Sequence, residues 1–159
     1  MTTSREVAAV PVEDLLTEQR TEVLEEAYAA LHRGPAEHYR HAGETVTRDR
    51  LAELFDLVVT ALSDRELEPV SRYCETIAEQ RFHAGFGISE VQTAFNVVEE
   101  AMWRHVVDGV PGEDLAESVG LLATILGFGK DVLARTYVSL ASRRRVPSLD
   151  LTALFAGVE

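Results

Sequence analysis

The sequence predicts an all-α protein, a helical bundle closed by a long C-terminal helix. Three observations carry this: apolar residues recur at helical spacing along nearly the whole chain, β-branched runs are few, and no alternating segment is long enough to build a sheet. With 159 residues, 46% of them hydrophobic, the chain suits one domain that buries its own core without disulfides or structural metal.

Residues 1–11 read as a flexible N-terminus. A first helix is expected after Pro11, where Glu13 and Asp14 suit the positive helix end, and it stops before Gly34. Val12, Leu16, Val23, Ala27, Ala30 and Leu31 share one face of it. A polar segment with His38, Tyr39 and His41 follows. Thr47 is placed to cap a helix whose apolar positions are Leu51, Leu54, Phe55, Val58 and Leu62, with Asp64 at its exit. The next helix is expected from about Glu66 to Phe82, ending at Gly85 or Gly87, residues that accept the left-handed conformation common past a helix end. Ser89 would cap the helix after it.

In that helix, a turn of about 100° per residue gathers Val91, Ala94, Phe95, Val98, Met102 and His105 into one arc facing the core. Trp103 falls roughly 140° from the arc's centre, beside Asn96, so a large aromatic is expected on the outer surface.

The last helix should start near Glu113 and run to about Arg145, on the order of 50 Å at about 1.5 Å per residue. Leu115, Val119, Leu122, Leu126, Leu133, Tyr137 and Leu140 form one stripe; Leu121, Ile125, Phe128 and Val132 form an adjacent one. Two stripes exceed what a single neighbour covers. The second, with Trp103, is therefore expected to meet another copy of the chain in a homodimer; burial inside one domain leaves the same pattern. Gly127 and Gly129 suggest close helix packing or a bend. Residues 12–145 make the domain, and 146–159 a tail that packs on its own domain or on a partner through Leu149, Leu151, Leu154 and Phe155.

A net charge of −12 repels phosphate backbones and anionic membrane surfaces, so neither nucleic acid nor membrane is an expected partner. Arg143, Arg144 and Arg145 read as cations at a helix C-terminus. No apolar run approaches the roughly 20 residues that span a bilayer, and no secretory leader is evident, which points to the cytoplasm.

Catalytic patterns are lacking. Cys74 lies on an apolar face, where a thiol behaves as a small hydrophobe. Glu75, Glu79 and His83 recur every four residues but point away from the core, and carboxylate-bridged iron sites space Glu and His by three, so no metal is expected. His38 and His41 have no companion ligands. The Gly127 to Lys130 segment lacks the spacing and the preceding strand of a phosphate loop. An inward His105 is most simply a hydrogen-bonded core imidazole, but with Phe95 and Met102 it also outlines an apolar pocket for haem or another small molecule, the alternative to a cofactor-free protein.

The segment RFHAGFGISEVQTAFNVVEEAMWRH at 81–105, with SRYCETIAEQ before it and TRDRLAELFDLVVTAL at 47–62, resembles the N-terminal sensor domains of RsbR-type stressosome proteins. Helix, glycine break, Ser-Glu-Val start and a mid-helix aromatic recur in that order over most of residues 12–145. The resemblance implies a globin-like fold, usually without haem, and a dimeric, non-catalytic sensory or regulatory role in a bacterial stress pathway. It carries over no catalytic residue. Multidomain relatives continue from the last helix into an output domain, so with only residues 146–159 following, the output is expected through a protein partner or through dimer geometry.

Overall fold

The computed structural model describes residues 10–145. They form seven helices: α1 (Val12–Glu18), α2 (Arg20–Arg33), α3 (Glu37–Ala42), α4 (Glu44–Asp64), α5 (Glu68–His83), α6 (Ile88–Gly109) and α7 (Gly112–Arg145). No strand occurs among the described residues, so the all-α reading and the long final helix hold. The expectations for residues 1–9 and for the tail after Arg145 lie outside the described residues.

α7 packs against α5, α6 and α4, and α2 lies on α6; α4 touches every other helix and ties the two groups together. Phe55 of α4, Cys74 of α5, Met102 of α6 and Leu126 and Leu133 of α7 are almost fully enclosed in the shared core.

Gly129 is what lets α7 approach so closely. A Cβ there would stand 3.2 Å from the Cys74 sulfur, 3.3 Å from the Phe95 ring and 3.4 Å from Val70, so the missing side chain is the contact. Gly127, two residues earlier, faces open space.

Three boundaries differ from the sequence reading. The expected first helix is two, broken at Gln19, where no glycine or proline announces it; the Gln19 side chain reaches His105 of α6 instead. Thr47 does not cap α4, which begins three residues earlier after Gly43 (φ +93°); Thr47 is buried and its hydroxyl donates to the Tyr39 carbonyl at 2.9 Å. Ser89 does not cap α6 either. The extended backbone of Gly87 starts that helix, and its carbonyl accepts the Glu90 and Val91 amides. The polar segment around Tyr39 is a short helix with Tyr39 in the core.

Both apolar stripes of α7 are used within one protomer. Leu122, Leu126 and Leu133 are buried, and so are Ile125 and Val132, each 4% exposed. Ile125 and Val132 therefore belong to the protomer's own core and not to an outer surface, α7 being packed against three helices, α4, α5 and α6. Leu121 and Phe128 are half-buried at the edge.

Candidate functional site

The glycine break between α5 and α6 builds the most polar part of the interior. α5 ends in a Schellman motif: Gly85 takes φ +87°, its amide donates to the Phe82 carbonyl at 3.1 Å, and the Phe86 amide donates to the Arg81 carbonyl at 2.9 Å. This turn folds Phe86 back over the helix it has just left. Phe86 is buried, with Tyr39 edge-on at a centroid distance of 4.9 Å and His38 at 5.0 Å; its carbonyl accepts the Tyr137 hydroxyl of α7 at 3.1 Å.

Two guanidinium groups approach the same ring, that of Arg50 from α4 at 5.5 Å and that of Arg81 from α5 at 5.9 Å. Arg81 is only 6% exposed. Its Nε and the Nη1 of Arg50 are buried without a hydrogen-bond partner among the described residues. Burial, then the neighbouring Arg81 charge, hold Arg50 below the ordinary arginine value, with Tyr39, Glu53 and Tyr73 acting the other way. Burial raises Tyr39 and Tyr73, and raises Tyr137 to about 12. The carboxylate at the rim is engaged elsewhere: Glu90 accepts the His38 amide at 3.1 Å and meets His38 Nδ1 at 2.6 Å.

Sequence reasoning singled out this segment but not the roles of Arg50, Arg81 or Phe86. One signal was available: Arg81 sits four and three residues after Ile77 and Ala78 on the apolar face of α5, where a cation is out of place.

The residues expected to outline a pocket lie elsewhere. Phe95 and Met102 are 2% and 0% exposed, packed into the core beside Gly129 and among α5 to α7. His105 is at the edge of the α2–α6 contact. Its Nδ1 is hydrogen-bonded to the Gln19 side chain and its Nε2 stands 3.1 Å from Glu26. With both ring nitrogens engaged and Phe95 and Met102 closely packed, these three side chains offer haem neither a free imidazole nitrogen nor an open face. The nearest groove, of about 320 Å³, runs between α2 and α6 and is lined by residues such as Glu26, Ala30, Arg33, Ala101 and Arg104.

Trp103 is 47% exposed, on the outer side of α6 as expected. Glu75, Glu79 and His83 are exposed, and among the described residues no group of three or more His, Cys, Asp or Glu side chains is placed to hold a metal.

Cys74 is fully buried, and burial, then the nearby Glu75 charge, push its thiol up to about 12. Below pH 9.0 the thiol is protonated folded and unfolded alike, and its contribution is complete. As pH rises above that value the unfolded chain ionises while the folded one keeps its proton, so stability falls until about 12. Urea unfolding between pH 9 and 10 should show a loss approaching about 1.4 kcal/mol per pH unit from this group, and Cys74→Ala should flatten that slope. An identical slope in the variant would refute the assignment.

Fold and site together define an all-α domain with a tightly packed interior, one buried cationic centre, and no described helix long and apolar enough to cross a membrane. The chain belongs to the RsbT co-antagonist protein RsbRD N-terminal domain family, whose sequence profile matches residues 8–151. This is a family of stress-signalling regulatory domains that is not known as a catalytic one. No curated protein matches the chain at a significant level.

Proposed function

We propose that this domain is a non-catalytic, cofactor-free sensory or regulatory module of a bacterial stress pathway, with a globin-like arrangement of helices. It acts in the cytoplasm as a homodimer that passes its signal to a protein partner.

The observation that carries the dimer is the outward face of α7. Turning about 100° per residue places Gly120, Thr124, Gly127, Asp131, Ala134 and Val138 in one arc, with the Asp131 carboxylate paired to Arg135 at 3.0 Å. Gly120 and Gly127 have nothing within 4 Å of a would-be Cβ, and Val138 is 65% exposed. The open space at the two glycines leaves room for a second helix to approach closely, and a face that meets its own copy about a two-fold axis closes into a dimer. Trp103 borders the strip. Lys130 of α7 bonds to Asn96 and Glu99 of α6 at 3.1 and 2.6 Å, and the short link at Val110 and Pro111 runs the two helices antiparallel; Trp103, one turn beyond Glu99, is thus level with Gly127. Leu121 and Phe128 border the other flank.

Light scattering with in-line visible absorbance tests the reading. The expected result is a colourless particle of twice the 17.6 kDa chain mass. A stable monomer overturns the dimer, and a Soret band in protein from its native host overturns the cofactor-free reading.

A further inference from the structure

Arg50 and Arg81 are two like charges drawn into one partly enclosed site in a chain with 27 acidic residues, and neither forms an ion pair among the described residues. The arginines that do form ion pairs among the described residues meet exposed carboxylates, such as Arg20 with Asp56 or Arg48 with Glu25. At this site Glu90 is committed to His38, and Glu53 acts on Arg50 only from a distance. A buried N–H without a partner is costly, and two of them on adjacent cations more so, since each charge also raises the cost of the other.

The geometry supplies what would relieve this. A guanidinium presents a planar fork of donors that matches a carboxylate or phosphate edge, and two such forks around one anion both satisfy the free donors and cancel the repulsion. Both groups lie near the Phe86 ring, at 5.5 and 5.9 Å from its centroid, and the Schellman turn at Gly85 holds Phe86. The Tyr39 hydroxyl lies alongside as a further polar contact, influenced by both arginines.

We propose that Arg50 and Arg81 form a binding site for a small oxyanion, a carboxylate or phosphate group, seated between α4 and the end of α5 beside Phe86. The site stands whether or not the domain dimerises. Bound there, the anion links α4, α5 and the α5–α6 turn, and through the Tyr137 hydroxyl on the Phe86 carbonyl it reaches α7, the helix that carries the outward strip.

Thermal unfolding of the full chain in sodium phosphate or sodium acetate, each against sodium chloride at matched ionic strength, tests this. A rise in Tm of about 3–6 °C at tenfold excess over Kd, growing further with the logarithm of anion concentration, is expected with at least one of the two anions, and which one acts identifies the phosphate or carboxylate class. Arg50→Gln, at a half-buried position, should fold and abolish the rise; Arg81→Gln should abolish it as well. No rise with either anion, or a full rise retained in Arg50→Gln, overturns the proposal and leaves the two donors to water.

Discussion

Replacing Gly129 with valine should cost the protein more than 3 kcal/mol or so, enough to leave much of it unfolded at moderate urea concentrations. Even the Cβ of alanine at 129 stands 3.2 to 3.4 Å from Cys74, Phe95 and Val70, which are side chains of three different positions on α5 and α6. Two further methyl groups have nowhere to go without separating α7 from both helices. Alanine is the informative control: its tight contacts are offset by about 1 kcal/mol of helix propensity gained over glycine, so it should lie within about 1 kcal/mol of the parent. Urea unfolding of the two variants measures the difference, and a valine variant with the parent's midpoint would show that α7 does not pack as described.

The second large effect is at Ile125. Aspartate there places a carboxylate at a position 4% exposed within the protomer's core, and the cost of several kcal/mol should exceed what a domain of this size can absorb. Loss of the helical circular dichroism signal is the expected result. Phe128→Asp, at a half-buried edge position, should be far milder and leave a folded chain. A folded, monomeric Ile125→Asp would place Ile125 in the interface after all.

These two positions show what the sequence could and could not convey. The helices of the bundle were legible because apolar spacing and turn chemistry agree: the Gly85 break, the arc of Val91, Phe95, Val98 and Met102, and the outward Trp103 all stand where periodicity puts them. Periodicity reports that a face is apolar, not which neighbour covers it. Ile125 and Val132 carry the same pattern whether a helix of the same protomer or a second chain lies against them, and only the tertiary packing decides. His105 was ambiguous for the same reason, since its place in the apolar arc did not reveal that Gln19, at a helix break no residue type announces, and Glu26 of α2 both reach it. Arg50 and Arg81 are 31 positions apart, on different helices, and come to the same ring only because the Schellman turn folds Phe86 back over α5. Such a cluster is a product of tertiary structure, and spacing along the chain does not encode it.

The outward face of α7 is tested most directly at Gly127, where a side chain has open space in the protomer and would stand in the middle of a dimer contact. Gly127→Arg should therefore be folded, and stabilised within the protomer by up to about 1 kcal/mol of helix propensity. Its mass by light scattering is expected to be the 17.6 kDa of a single chain at concentrations where the parent is a dimer. A Gly127→Arg protein that remains dimeric, with the parent's dissociation behaviour, would contradict assembly through this face.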